Sequence, residues 1–217
     1  MDVQQYERAL RDYLVTHSTP ADELFESLRV ETKERFPDRA GMQISPAQGA
    51  FMGLMTRLLQ PKLAVEVGTF TGYSSLSVAR ALPEGSRLIC CDVSDEFTAV
   101  ARDYWKRAGV DDKVELILGP ALETLRALPV EQPIDMAFID ADKTSYLAYY
   151  EELLGRMRSG GLIMVDNVLW SGRVFDDSDT ETSTVALREF NEFVVADSRV
   201  EVAMLPLGDG VSMIRKL

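Results

Sequence analysis

Leu63-Ala64-Val65-Glu66-Val67-Gly68-Thr69-Phe70-Thr71-Gly72-Tyr73-Ser74 is the stretch where the chain changes character. A short run, apolar except for Glu66, ends in Gly68 and reads as a buried strand. The glycine-flanked turn after it opens onto a helix from Ser74 to Ala81, closed by Leu82-Pro83-Glu84-Gly85. A strand passing through a tight turn into a helix is the opening half of a strand–helix–strand unit. The next strand should follow within a few residues, and Arg87 to Cys91 supplies it, closed by Asp92.

Downstream the alternation continues. A helix from about Asp95 to Arg107 stops at Gly109 and is followed by a strand from Val114 to Leu118. Ala121 to Leu128 reads as helix and Ile134 to Ile139 as a strand ending at Asp140. Tyr146 to Met157 is again helical, Gly160-Gly161 makes a turn, and Leu162 to Val165 is a strand ending at Asp166. Strands separated by helices at this spacing imply a mostly parallel sheet covered on both faces. The last segment breaks the rule. Val200 to Leu205 and Val211 to Arg215 are separated only by Pro206-Leu207-Gly208-Asp209-Gly210. That is too short for a parallel crossover, so the two must pair as an antiparallel hairpin.

Upstream of Lys62 the chain reads as helices. Tyr6, Leu10 and Leu14 recur at four-residue spacing, and Leu24, Phe25 and Leu28 mark a second segment. Ser18-Thr19-Pro20-Ala21-Asp22 separates them, with Thr19 and Pro20 suited to open the second helix, and Phe36-Pro37-Asp38 closes it. A third helix is expected from Pro46 to about Leu59, with Ser45 as its cap. The expected organisation is one domain over residues 1–217, with helices in 1–60 covering the site and the sheet in 61–217.

The chain has 217 residues, 46% of them hydrophobic and 27% charged, ordinary values for a folded domain that exclude fibrous and disordered classes. Its 35 acidic and 23 basic residues leave a net charge of −12. That balance argues against nucleic acid and against an anionic membrane surface, both of which need clustered Lys and Arg. Met1 begins a polar stretch (Asp2, Gln4, Gln5, Glu7, Arg8), and no apolar run is long enough to span a bilayer. Cys90 and Cys91 are adjacent and poorly placed to pair, which excludes a disulfide framework and a Cys-based zinc site. A reduced, cytoplasmic location is the expectation.

In open parallel sheets, ligands bind outside the carboxyl ends of the strands. The residues there are Glu66 to Ser74, Asp92, Gly119-Pro120-Ala121, Asp140-Ala141-Asp142-Lys143 and Asp166-Asn167. Phe70 and Tyr73 stand where a pyrophosphate-cradling G-x-G-x-x-G would need glycine. Asp92 lies 20 residues beyond Gly72, where an acid can accept hydrogen bonds from an adenosine ribose. Each feature also has a plain structural reading, as a tight turn or a charge at a helix start. Glu66 interrupts a central strand, so it should meet hydrogen-bond donors or a cation.

Asp140, Asp142, Asp166 and Asn167 form a second group, since Asp140 and Asp166 follow neighbouring strands. Carboxylates with an amide oxygen suit Mg²⁺, Mn²⁺ or Ca²⁺ over zinc, although helix caps and solvated loop acids would look the same in sequence. Lys143 is a candidate base or a salt-bridge partner of Asp140 or Asp142. His17 has no partner motif, which leaves no triad-type mechanism. Trp170, Tyr73 and Phe175 are either an aromatic wall or core, and Asp176 to Glu181 reads as a solvated loop.

Met42-Gln43-Ile44-Ser45-Pro46, Glu66 to Ser74, Gly119-Pro120-Ala121, Asp140 to Lys143, Asp166-Asn167-Val168-Leu169-Trp170 and Leu207 to Gly210, in that order, resemble the cation-dependent O-methyltransferases. This is the family of caffeoyl-CoA and catechol O-methyltransferase, and the likeness runs from about Arg8 to Lys216. It implies a Rossmann-like methyltransferase fold, a doubly wound sheet carrying a C-terminal antiparallel hairpin and N-terminal helices. It implies S-adenosyl-L-methionine as methyl donor, contacted by Met42, Ile44, Glu66, Gly68, Ser74, Asp92, Ala121, Asp140 and Asp142. Asp140, Asp166 and Asn167 become ligands of a divalent ion, Mg²⁺ foremost. Lys143 becomes the base, assisted by Asp140, and Trp170 a wall against a small aromatic vicinal diol. A homodimer is implied as well. Two rivals are a nicotinamide-dependent oxidoreductase and a non-catalytic binding module. The acceptor itself, whether free catechol, flavonoid, CoA thioester or specialised metabolite, is left open.

Overall fold

The computed structural model describes residues 2–129 and 131–217, without the side chains of Val3, Gln4, Glu7 and Arg11; Met1, where the polar stretch begins, lies outside it. Three helices come first: α1 (Val3–Thr16), α2 (Glu23–Arg35) and α3 (Pro46–Leu59). The alternating part follows as β1 (Leu63–Val67), α4 (Tyr73–Ala79), β2 (Arg87–Asp92), α5 (Asp95–Ala108), β3 (Val114–Leu118), α6 (Ala121–Ala127), β4 (Ile134–Ile139), α7 (Tyr146–Arg156) and β5 (Met157–Asp166). It closes with α8 (Thr182–Ala196), β6 (Val200–Leu205) and β7 (Val211–Lys216).

The strands form one sheet in the order β3-β2-β1-β4-β5-β7-β6. β1 to β5 pair in parallel, while β7 runs antiparallel to both β5 and β6. The order reverses at β1, which places the crevice between the ends of β1 and β4 at a topological switch point. The terminal hairpin is present as the loop length demands, with β7 inserted beside β5 and β6 on the edge.

Successive side chains of a strand point to opposite faces, and the core divides accordingly. Val65, Val67, Ile89, Cys91, Ile139 and Ile163 pack on one side with residues of α6, α7 and α8. Ala64, Leu88, Cys90, Met136, Phe138 and Met164 pack on the other with residues of α2 to α5. Each fully buried Leu, Ile or Phe contributes about 1.5–3 kcal/mol to folding.

Local chemistry sets the helix ends. Asp22 caps α2 by accepting from the Phe25 amide, so this helix begins at Glu23 and not at Thr19-Pro20. Ser45 caps α3 through the Gln48 amide at 3.2 Å, with Pro46 in the first turn. Two elements differ from the sequence reading. Met157 starts β5 opposite Ile134, and Arg158 to Gly161 bulge before Leu162 pairs with Met136, so the glycine pair lies within a strand. The α8 helix was not expected at all; it buries Thr184, Leu187, Phe190 and Val194 against the sheet. The apolar repeat of α1 lies on a helix, yet Tyr6, Leu10 and Leu14 are exposed.

Candidate active site

The carboxyl ends of the parallel strands open into a cavity of about 1520 Å³. A pocket for one small ligand commonly occupies about 300–1,000 Å³, so this space suits two ligands side by side. The residues singled out at the strand ends line it except Thr71, Gly72 and Glu66, the last buried just behind the wall. Met42 and Ile44 reach it from the segment before α3, and Leu10, Asp12, Leu14 and Val15 reach it from α1.

The glycine turn sets the near edge. Gly68 has φ of 89°, and a Cβ there would overlap the carbonyl oxygen of Asp140. The ends of β1 and β4 therefore approach as closely as backbones allow. Asp92 holds the turn: one carboxylate oxygen accepts from the amides of Thr69 (2.9 Å) and Phe70 (2.8 Å), the other from Ser94 (2.8 Å). Both readings of Asp92 are thus compatible, since a carboxylate has about four acceptor directions and three are used here.

Behind the turn, Glu66 is 1% exposed and its Oε2 has no hydrogen-bond partner. Burial pushes its carboxyl up to about 8; the hydroxyls of Ser74 and Thr69 lie near enough to pull the other way, and the charges of Asp92 and Asp140 add to the rise. An orphaned buried acceptor is costly and fits a ligand bringing a donor or a positive charge.

Across the crevice, the Lys143 ammonium donates to Asp140 Oδ1 (3.0 Å), Asn167 Oδ1 (2.7 Å) and the Tyr146 hydroxyl (2.6 Å). Tyr146 in turn donates to the Asp166 carbonyl at 3.1 Å. Asp166 is 3% exposed; its Oδ1 accepts from the Asn167 amide (2.7 Å) and its Oδ2 from Gln48 Nε2 (2.8 Å). Burial, followed by the charge of Asp140, raises its carboxyl well above the ordinary range. The Asp140 carboxylate and the Asn167 amide oxygen thus face one cation, here an ammonium, and the Asp166 carboxylate lies near enough to feel its charge. Asp142 stands apart, accepting from the Tyr149 hydroxyl at 2.6 Å. Among the described residues no three His, Cys, Asp or Glu side chains gather closely enough to hold an ion by themselves. The oxygens of Asp140, Asp166 and Asn167 are of the kind hard divalent ions take.

The loop after β5 forms the far wall. Asn167, Trp170 and Ser171 all have positive φ, an uncommon conformation that costs on the order of 1 kcal/mol or more for a side chain like Trp. Neighbours impose it. Leu169 and Val168 amides donate to the carbonyls of Asp209 and Gly210, Ser171 donates to Asp209 Oδ1 (2.6 Å), and Asn191 of α8 donates to the Val168 carbonyl (2.9 Å). Trp170 and Tyr73 line the cavity, whereas Phe175 is 74% exposed and does not. His17 stacks on Tyr13 at the exposed end of α1, away from the cavity.

Gln48, Tyr146 and Asn191 had no sequence signal as site residues. Only Tyr149 offered a hint, standing seven positions beyond Asp142 on two turns of helical chain.

A family model described as O-methyltransferase matches residues 15–217. Catechol O-methyltransferase domain-containing protein 1 of Mus musculus is 38% identical over 96% of this chain and 80% of its own. Caffeoyl-CoA O-methyltransferase of Populus kitakamiensis is 34% identical over 96% of this chain and 94% of its own. Among solved structures, the O-methyltransferase TomG from Streptomyces achromogenes, in complex with SAM, superposes with a TM-score of 0.90 at 30% identity, covering 100% of this chain and 99% of its own. The chain belongs to the O-methyltransferase family, enzymes that take their methyl group from S-adenosylmethionine.

Proposed function

We propose that this O-methyltransferase is divalent-cation-dependent and methylates one hydroxyl of a vicinal diol on a small aromatic acceptor. The observation that carries this reading is the placement of the Lys143 ammonium between Asp140 Oδ1 and Asn167 Oδ1, with the buried Asp166 carboxylate alongside. The site is built for positive charge at the point where an acceptor would lie. Asp140, Asp166 and Asn167 would hold the ion, and Gly68, Ser74, Asp92, Ala121, Asp142, Met42 and Ile44 would surround the methyl donor, with Glu66 behind them.

Bound there, a divalent ion supplies Lewis acidity toward two adjacent oxygens and S-adenosylmethionine supplies an electrophilic methyl group. The protein does the rest by placement. Two of the three acceptors of Lys143 belong to the donor set itself. With that set occupied, Nζ would keep the Tyr146 hydroxyl and would face the acceptor hydroxyl as the group that receives its proton. Tyr146, anchored on the Asp166 carbonyl, fixes where Nζ stands. Trp170 and Leu207 line the space in which an aromatic ring would stack, holding its oxygen in line for transfer.

Methyl transfer from labelled S-adenosylmethionine to matched phenols tests the reading. Vicinal diphenols should give product and their single-hydroxyl analogues none. Equal rates on both would overturn the chelated-diol geometry.

A further inference from the structure

The cavity and its approach carry an excess of negative charge that bears on the acceptor's tail. Among the described lining residues, Asp12, Asp92, Asp140, Asp142, Asp166 and Asp209 stand against one cation, Lys143. A divalent ion and a sulfonium would leave that balance negative. Asp140, Asp142, Asp166 and Asp209 stand in the motifs shared with caffeoyl-CoA O-methyltransferases, so the charge peculiar to this mouth is that of Asp12 and of the segment after Trp170. Asp209 braces Ser171, next to the Trp170 wall, and Asp12 comes from the exposed face of α1 beside Leu10 and Leu14.

The segment that continues from Trp170 is more acidic still, with Asp176, Asp177, Asp179 and Glu181. Its guanidinium groups are already engaged. Arg173 pairs with Asp179 at 2.7 Å and with Glu181 at 3.1 Å, and Arg188 donates to the Asp176 and Asp179 carbonyls. A phosphate arriving here would have to break those pairs.

We infer that the acceptor is a compact vicinal diphenol whose tail carries no phosphate, and that CoA thioesters are discriminated against at the mouth. This rests on the proposed diol methylation and narrows it. A CoA thioester carries a diphosphate and a 3′-phosphate, about four negative charges, and would hold them near the rim while its ring lay in the cavity. Fields of one sign in a cleft change encounter rates by about 10- to 1,000-fold, here against the polyanion. The apolar part of the mouth, Leu10, Leu14, Trp170 and Leu207, suits the ring of a neutral acceptor.

The test compares two acceptors with the same ring, methyl caffeate and caffeoyl-CoA, with saturating S-adenosylmethionine and Mg²⁺. The ester should have a kcat/KM on the order of tenfold or more above the thioester at low salt. Raising ionic strength from about 0.01 to about 1 M shortens the Debye length from about 30 to about 3 Å and should narrow the gap by improving the thioester. Asp177→Lys, at an exposed position outside the cavity lining, should improve the thioester and leave the ester unchanged. A thioester equal to or better than the ester at low salt overturns the inference, as does a ratio that neither salt nor Asp177→Lys moves. Turnover of neither acceptor would instead count against diol methylation itself, so the two failures are distinguishable.

Discussion

Gln48 Nε2 donates a 2.8 Å hydrogen bond to Asp166 Oδ2 across 118 positions of sequence, and both residues are buried. The bond ties the first turn of α3 to the end of β5. It also settles the carboxylate: one oxygen takes the Gln48 amide and the other the backbone amide of Asn167, so the plane of Asp166 is fixed before any ion arrives. A neutral donor does this without cancelling the negative charge.

Removing that donor should therefore be felt at the ion. Groups that orient metal ligands typically contribute about 10- to 100-fold in metal affinity. Gln48→Leu is expected to weaken Mn²⁺ binding by that order in titration calorimetry, with affinity for S-adenosylhomocysteine unchanged. Loss of thermal stability with unaltered Mn²⁺ affinity would reduce Gln48 to a packing residue.

Lys143 makes a double prediction. Lys143→Met removes a proton acceptor, which should lower kcat by about 10²- to 10⁴-fold with little change in cofactor affinity. It also leaves Asp140 and Asn167 without their cation in the metal-free protein. Thermal denaturation should then show a larger Mn²⁺-induced rise in Tm for the variant than for the parent chain. An equal rise in both would mean that ammonium and ion do not share a place.

Glu66 makes stability depend on pH in an unusual direction. Its carboxyl, ordinarily near 4.5, is pushed to about 8 by burial. Below about 4.5 both folded and unfolded states carry the proton and there is no penalty. As pH rises the unfolded chain loses its proton first, so stability falls until about 8, where the full cost of the buried charge is present. Glu66→Gln should flatten the part of the decline in ligand-free Tm between pH 6 and 9 that this group causes. An unchanged slope would show that Glu66 is ionised throughout, with a partner.

The loop wall rests on a helix that sequence reading missed. Asn191→Leu deletes the bond to the Val168 carbonyl, a loss of about 1 kcal/mol, or about 2–4 °C in Tm for a chain of this size. Because that carbonyl belongs to the strained loop holding Asn167 and Trp170, KM for the acceptor should rise more than KM for the methyl donor. A fall in Tm with both KM values unchanged would uncouple α8 from the site.

What could be read in advance follows from range. The strand ending in Val67, the turn to Ser74 and the acids that close the later strands are local patterns, and a sheet carries them to one crevice by topology alone. The hairpin was legible because five connecting residues leave no other pairing. The helix at Thr182–Ala196 does bear a buried stripe at Thr184, Leu187, Phe190 and Val194, but it follows the acidic stretch from Asp176, which reads as open loop. Gly160-Gly161 looked like a turn because glycine weakens strands; the bulge that admits it is visible only against Ile134 and Met136. Gln48 and Asn191 were beyond reach, since nothing local says which way a polar side chain points across a core. Asp142 illustrates the converse: its spacing groups it with Asp140, while its carboxylate accepts from the Tyr149 hydroxyl.

The oxygens around Lys143 are proposed to hold a divalent ion used in methyl transfer. Turnover of a vicinal diphenol by chelator-treated protein, measured before and after Mg²⁺ is restored, tests this most directly. No product is expected without the ion and full recovery with it. Undiminished turnover by the metal-free enzyme would contradict the proposal.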